Sequence, residues 1–188
     1  YLDIAMEELE RAAGIVNRLR DLNREARPEA RRSTDVNRLI EKVLTLTRKQ
    51  CKDRAVRVEW APAADLPNVQ VAPGRVQQAF LSLVLNAVEA MPDGGQLRVR
   101  TAATRDLMGV LLTISDTRPG GVSGGQLSIS EVLRKGELSG LDLGLQISKN
   151  IVEEHGGRLE VERRAGEGAT FAVWLPARST RTMMEGGQ

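Results

Sequence analysis

The chain has 188 residues, of which 41% are hydrophobic and 28% are charged, and its formal net charge at pH 7 is +2. This composition can supply a buried core and excludes a wholly disordered chain. The small net charge gives no reason to expect a nucleic acid as partner. With one cysteine, Cys51, neither an internal disulfide nor a cysteine-based zinc site can form.

Membrane insertion and secretion are not indicated by the sequence. No apolar run approaches the roughly 18 residues needed to cross a bilayer, and no secretory signal stands at the start. We therefore expect a cytoplasmic location. Any membrane attachment of the parent protein would come only from segments upstream of this sequence.

Residues 1–26 are predicted to form one long helix. Their apolar side chains recur at alternating steps of three and four, the pattern of a helix that packs against other helices. Basic and acidic side chains balance over residues 1–32, so the arginines are interpreted as a solvated helix face. Because the pattern opens without a capping residue, we expect a fragment whose helix packs in an intermolecular bundle. The apolar positions are Leu2, Ala5, Leu9, Ala12, Val16 and Leu19.

Beyond a linker marked by Pro28, the pattern changes to a mixture of helices and strands. A helix is predicted from Asp35 or Val36 with its apolar side chains at Leu39, Ile40, Val43, Leu44 and Leu46. Alternation predicts a strand at residues 55–60 and a short strand at 69–71. A further helix is predicted from Pro73 to about Met91, ended by a turn at residues 92–95.

The second half of the chain predicts a hairpin, a helix and two closing strands. The hairpin joins strands near 96–103 and 109–115 around Asp106. A helix from about 141 to 154 ends at His155-Gly156-Gly157, and strands follow near 158–163 and 169–175. Residues 117–139 form an unusually long Gly- and Ser-rich connection, which indicates a functional or mobile segment. The predicted fold class is α+β, a two-layer α/β sandwich.

Two polar residues stand out in apolar surroundings. Asn86 lies on an otherwise apolar helix, which is costly unless its amide has partners. It is either a magnesium or phosphate ligand or a buried amide bonded to backbone. Asp116 ends an apolar strand, where its carboxylate could accept a hydrogen bond from the amine of adenine or could simply initiate a turn.

Two glycine-containing segments are the other candidates. In Gly140-Leu141-Asp142-Leu143-Gly144-Leu145, glycines at the mouth of a helix permit backbone amides to approach an anion, although the charge of Asp142 would repel phosphate. Gly166-Glu167-Gly168-Ala169-Thr170-Phe171 is either a plain hairpin or a strand whose Thr170 hydroxyl supports a base-binding acid.

The order and spacing of these segments resemble the ATP-binding domain of sensor histidine kinases, in the gyrase, Hsp90, histidine kinase and MutL superfamily. The resemblance extends over essentially the whole chain and includes the second helix of the dimerisation and phosphotransfer hairpin. It is carried mainly by the segments QQAFLSLVLNAVEAMPDGG, ISKNIVEEHGGRLEVE and GEGATFAVWLP. It implies a Bergerat-type ATP-binding fold preceded by a long helix of a dimerisation hairpin.

The resemblance also implies the roles of individual residues. Asn86 would bind magnesium that bridges the ATP phosphates. Asp116 would bind the adenine amine with Thr170 behind it, and residues 117–139 would be the ATP lid. The implied cofactors are ATP and Mg²⁺, and the implied nucleotide-binding residues are Asn86, Glu89, Ala90, Asp116, Gly120, Gly140, Leu141, Gly144, Leu145 and Thr170.

The reaction implied is phosphoryl transfer from ATP to a histidine and then to an aspartate of a response regulator. The helix that would carry the acceptor histidine is missing. His155, the only histidine, lies at a helix C-terminus, where capping and dipole interactions suffice to explain it. We therefore expect no autophosphorylation by this fragment.

Several positions depart from the family pattern. Arg118 and Asp142 stand where glycines are usual, Ser82 replaces a common asparagine, and the usual lid phenylalanines are missing from residues 126–136. The departures leave an alternative: a degenerate domain that binds nucleotide weakly or not at all and acts as a dimeric signalling scaffold. Ser82 also argues against gyrase- and Hsp90-type ATPases, which place a glutamate there as general base. A serine kinase of anti-sigma-factor type would not need the hairpin helix.

The domain organisation follows from these assignments. Residues 1–30 are predicted as the hairpin helix, 34–178 as the ATP-binding catalytic domain and 179–188 as a flexible tail. The predicted partners are a second copy of the chain, bound through the N-terminal helix, and the receiver domain of a response regulator.

Overall fold

The protein is described by a computed structural model that covers residues 29–104, 108–117, 140–164 and 168–177, with backbone alone at 140–143, 163 and 164. The chain divides into two units, Tyr1–Ala30 and Arg31–Gln188, and the second contains all the elements given below. The predictions for the helix over 1–26, for Asp106 and for the segment 118–139 lie outside the described residues.

The described residues of the second unit form three helices and seven strands. The helices are α1 (Val36–Asp53), α2 (Pro73–Glu89) and α3 (Gly140–Glu154). The strands are β1 (Arg32–Thr34), β2 (Val56–Ala61), β3 (Val69–Val71), β4 (Gly95–Ala103), β5 (Gly109–Asp116), β6 (Arg158–Arg164) and β7 (Gly168–Pro176). No helix in these parts of the chain is long and apolar enough to cross a membrane.

Five of the strands form a mixed sheet in the order β2-β4-β5-β7-β6. β2 runs parallel to β4, and the other neighbours are antiparallel, including the predicted hairpin of β4 and β5. Side chains alternate between buried and more exposed along β5 and β7, as expected where helices cover one face of a sheet. The predicted two-layer sandwich is confirmed.

Helix α1 begins where the sequence predicts, at Val36. Asp35 caps it by accepting a hydrogen bond from the backbone N–H of Arg38 at 3.3 Å. Of the five apolar side chains assigned to this helix, Leu46 does not join the core and is 56% exposed. The next residue, Thr47, is buried instead. Its hydroxyl donates to the carbonyl of Val43 at 3.0 Å, so the buried hydroxyl has a hydrogen-bond partner.

One short strand was not predicted. Residues 32–34, which include the end of the predicted linker, form β1 and pair with β3, with Ser33 opposite Gln70. A segment of three residues, Arg32-Ser33-Thr34, shows no periodicity of its own. Its pairing depends on a partner far along the chain.

Helix α3 ends as predicted at the two glycines, and His155 both caps the helix and makes a bond beyond it. Its ring is 5% exposed, its Nδ1 donates to the carbonyl of Ile151 at 2.6 Å, and its Nε2 accepts from the backbone N–H of Ala72 at 3.0 Å. These two bonds require a neutral ring, and burial lowers the pKa of His155 below its ordinary value of 6.5. The expected capping role of His155 is confirmed by the bond to Ile151, whereas a neutral ring brings no charge to the helix dipole. The ring also links α3 to the residue that precedes α2, which was not predicted.

We predict that His155 makes the free energy of unfolding depend on pH. The unfolded chain binds the proton more tightly than the folded chain, so stability should decrease as pH falls below about 6.5 and level off below the folded pKa. Urea unfolding between pH 5 and 8 measures the effect, and the resonances of the only histidine report its titration directly.

The matched variant for this prediction is His155→Gln, whose amide oxygen can accept from Ala72 but does not titrate. It should be less stable at pH 8 by about 1 kcal/mol, the scale of a lost hydrogen bond, and its stability should vary less between pH 5.5 and 7.5. An equal pH dependence of stability in both proteins would contradict the proposal that His155 is neutral in the folded state.

Candidate functional site

Helix α2 carries Asn86 into the interior of the domain. Pro73 occupies the first turn, where its missing N–H costs nothing, and the inward face of the helix is otherwise apolar. Asn86 is only 7% exposed. Its side chain faces Gly144 of α3: a Cβ built on that glycine would lie 3.5 Å from Oδ1 and 3.6 Å from Nδ2. These are ordinary van der Waals distances, so residue 144 of α3 lies directly beside the amide.

Ser82 belongs to the same contact, although the sequence marked it only as a departure from a family pattern. It precedes Asn86 by one helical turn, and its Oγ would lie 2.7 Å from a Cβ on Gly144. Nearby, Ser148 donates to the carbonyl of Gly144 at 2.8 Å, with the carbonyl of Ala79 at 3.2 Å. Small and polar side chains thus bring α2 and α3 together around Asn86.

Asp116 is fixed at the end of β5 and is 1% exposed. Its Oδ1 accepts a hydrogen bond from the backbone N–H of Ala169 at 3.1 Å. Gly168 has φ of +91°, and a Cβ there would lie 2.0 Å from the carbonyl oxygen of Asp116. Only glycine permits this approach of β7 to Asp116. Of the two alternatives given for Asp116, the turn-initiating one is not what the structure shows, because the carboxylate is buried and bonded to the backbone of a distant strand.

The prediction that Thr170 stands behind Asp116 is wrong. Thr170 pairs with Ser115 across β5 and β7, and their hydroxyl oxygens are 3.0 Å apart. Successive residues of a strand face opposite sides of the sheet. Thr170 therefore lies on the side away from the Asp116 carboxylate, and the residue beside that carboxylate is Ala169, which contributes its backbone N–H.

The other predicted residues have different positions. Glu89 and Ala90 lie one turn after Asn86 at the end of α2, where Ala90 N–H donates to the carbonyl of Asn86 at 3.2 Å. Leu145 is 3% exposed and belongs to the apolar core. The backbone of Gly140 and Leu141 forms the first turn of α3, while Gly120 lies outside the described residues.

The two parts of the candidate site lie on elements that touch. Helix α2, which carries Asn86, packs against β5, which carries Asp116. Leu83 of α2 and Ile114 of β5 are fully buried in one apolar core. Asn86 thus lies beside Gly144, and Asp116 beside Gly168 and Ala169. Both groups are carried by elements that pack into the same apolar core.

These residues can bind a magnesium ion only if phosphate and water supply most of its ligands. Among the described residues there is no group of three or more His, Cys, Asp or Glu side chains that could hold a metal ion. Mg²⁺ prefers oxygen ligands and commonly keeps several waters while it binds phosphates. The amide oxygen of Asn86 could therefore supply one ligand, with phosphate oxygens and water completing the shell.

Two surface grooves that border α1 do not coincide with the candidate site. One, of about 550 Å³, is lined by Arg38, Glu41, Lys42, Thr45, Leu46 and Gln77. The other, of about 410 Å³, runs along α1 and β2 past Cys51. Neither includes a predicted site residue. Burial raises the pKa of the Cys51 thiol, so the unreactive thiol expected for a buried cysteine is favoured there.

We predict that Gly144→Ala destabilises the domain through Ser82. An alanine in an open helix interior would gain about 1 kcal/mol over glycine, but here the new Cβ meets Ser82 Oγ, and overpacking of this kind costs about 1–3 kcal/mol. In a double-mutant cycle measured by urea unfolding, Ser82→Ala should recover most of the loss. Additive effects of the two substitutions would contradict the contact.

Comparisons with known proteins agree on one family. A family model described as "Histidine kinase-, DNA gyrase B-, and HSP90-like ATPase" matches residues 72–179. Sensor histidine kinase ZraS of Escherichia coli (strain K12) is 33% identical over 158 residues, which are 84% of this chain and 33% of ZraS. The chain therefore spans about a third of the length of that relative.

Solved structures share the fold. The crystal structure of histidine kinase ThkA in complex with response regulator protein TrrA has a TM-score of 0.73 at 22% identity, with 95% of this chain and 51% of that one covered. Full-length ShkA in complex with AMPPNP has a TM-score of 0.67 at 24% identity, with 80% of this chain and 32% of that one covered. Because the family model matches more than half of its residues, the chain belongs to the histidine kinase-, DNA gyrase B- and HSP90-like ATPase family.

Proposed function

We propose that the chain is the catalytic ATP-binding part of a sensor histidine kinase. In this proposal, residues 34–178 bind ATP, and residues 1–30 are the second helix of a dimerisation hairpin. The γ-phosphoryl group passes to a histidine and then to an aspartate of a response regulator. The observation that carries the proposal is the buried carboxylate of Asp116, held at a strand end by the backbone of Ala169.

Asp116 suits the recognition of an adenine amine. A carboxylate that accepts a hydrogen bond from Ala169 N–H at 3.1 Å still has acceptor capacity for a second donor. Its surroundings exclude water, which strengthens such a bond and penalises a base that presents a carbonyl at the same place. Base selection in this proposal thus needs no help from the Thr170 hydroxyl, which lies on the other side of the sheet.

Asn86 suits the phosphate end of the nucleotide. Its amide is buried at 7% exposure beside Gly144, so an ion bound there would meet a fixed oxygen donor with little reorganisation. When bound, magnesium supplies charge neutralisation for the phosphates and for the leaving group. The first-turn amides of α3 lie on the same helix as Gly144 and can interact with an anion.

His155 does not suit the role of phosphoryl acceptor. Both ring nitrogens are engaged, one with Ile151 and one with Ala72, and the ring is buried. Since the chain has no other histidine, we place the acceptor outside these 188 residues. Relatives named sensor histidine kinases and a structural neighbour crystallised with a response regulator support this division of labour.

We predict that Asp116→Asn weakens ATP binding. Hydrogen bonds to charged groups contribute about 1.5–3 kcal/mol, so the dissociation constant measured by isothermal titration should rise about ten- to hundredfold. The preference for ATP over GTP should fall as well. Asp65→Asn, at an exposed position, is the control and should bind as the native chain does. Native protein that binds no nucleotide at millimolar concentration would instead support the scaffold alternative.

We predict that Asn86→Ala removes the magnesium dependence of ATP binding. The native chain should bind ATP more tightly with magnesium than with a chelator present, since the ion joins the phosphates to the Asn86 amide. The variant should bind equally in both conditions and close to the magnesium-free native value. Asn68→Ala, at an exposed position, is the control. A variant that keeps the full magnesium effect would remove Asn86 from the metal site.

A further inference from the structure

Thr117 makes an unusual contact at the end of the strand that carries Asp116. The last backbone pair between β4 and β5 is Leu97 with Asp116. One residue later, the Thr117 hydroxyl accepts a hydrogen bond from the backbone N–H of Gln96 at 2.9 Å. The side chain therefore takes the place of a backbone carbonyl and extends the ladder by one step.

The same hydroxyl lies beside Gly95, the first residue of β4. A Cβ built on Gly95 would lie 3.1 Å from Thr117 Oγ1 and 2.7 Å from Met91 Sδ. Met91 is fully buried and lies two residues beyond the end of α2. The space next to Gly95 is therefore bounded by the side chain of Met91 and by that of Thr117.

Asp116 is consequently held from two sides. On the β7 side, Gly168 lies against its carbonyl, and Ala169 donates to its carboxylate. On the β4 side, beyond the final pair with Leu97, the hydroxyl of Thr117 holds the following residue. Loss of that bond would let the strand end move while the rest of the sheet stays intact.

We propose that Thr117 is a positioning residue of the nucleotide site. Its hydroxyl fixes the end of β5, and with it the Asp116 carboxylate, relative to β4. The inference rests on the proposed function for its effect on affinity. Thr117 itself is exposed, and a bond that water can replace contributes little to global stability. A positioning role therefore predicts an effect on binding that is larger than the effect on unfolding.

Three variants test the inference. Thr117→Val keeps the shape and removes the acceptor, and Thr117→Ser restores the hydroxyl. Thr101→Val is the control for loss of a threonine hydroxyl elsewhere in the sheet. Thr101 is a buried residue of β4 that accepts from Ala63 N–H at 3.0 Å and donates to Asn37 at 2.8 Å, in a network that includes no site residue.

We predict that Thr117→Val weakens ATP binding about three- to tenfold, the range expected for one lost hydrogen bond. Its melting temperature should stay close to the native value, and Thr117→Ser should bind within about twofold of native. Thr101→Val should show the opposite pattern, a lower melting temperature with unchanged affinity. Native affinity in Thr117→Val, or affinity as weak in Thr117→Ser, would overturn the inference.

A second readout does not depend on nucleotide. The backbone amide of Ala169 reports the position of the Asp116 carboxylate, since it donates to Oδ1. Its hydrogen exchange should accelerate about three- to tenfold in Thr117→Val and remain native in Thr101→Val. If the native chain binds no ATP, the proposed function fails, and the exchange rates alone decide whether Thr117 positions Asp116. Unchanged exchange at Ala169 would overturn the inference.

Discussion

The site is organised around a buried carboxylate that must be satisfied. An ionised group removed from water is costly unless hydrogen bonds or opposite charges compensate for the lost hydration. At Asp116 the compensation includes the backbone N–H of Ala169, and that bond requires β7 to lie against the end of β5. Gly168 makes the approach possible, because any side chain there would overlap the carbonyl of Asp116. The requirement sets the position of one strand relative to the other.

The position of β7 also explains which side chains can reach the site. Because successive side chains of a strand point to opposite faces, Thr170 must face away from Asp116 when Ala169 lies beside it. The strand shows this parity clearly, because Phe171, Val173 and Leu175 are buried while Thr170, Ala172 and Trp174 between them are less buried. Extending that alternation back to residue 169 would have predicted the observed face. The resemblance to a family motif suggested a role for the hydroxyl, but strand parity determines where the hydroxyl lies.

Most elements could be predicted because their signals are local. Apolar periodicity placed α1 and α2, and the glycines after His155 marked the end of α3. The failures concern interactions between distant segments. β1 is visible only through its pairing with β3, and the exposure of Leu46 depends on which elements cover α1 at that point. The bond from Ala72 to His155 joins residues on different elements, and no local pattern predicts it.

The packing beneath the site limits how it can adapt. α2 and β5 contact each other through side chains with no exposure, among them Leu83, Val84 and Ile114. Close-packed interiors resist sliding, because any shift opens voids and creates overlaps. The separation between Asn86 and Asp116 is therefore set by the core, and a nucleotide cannot change it cheaply. The same argument applies to α3, which packs against α2 beside Asn86 and donates a hydrogen bond to it from Ser148 to the carbonyl of Ala79. Asn86 is thus held between α3 and the core, and its position relative to both is set by packing.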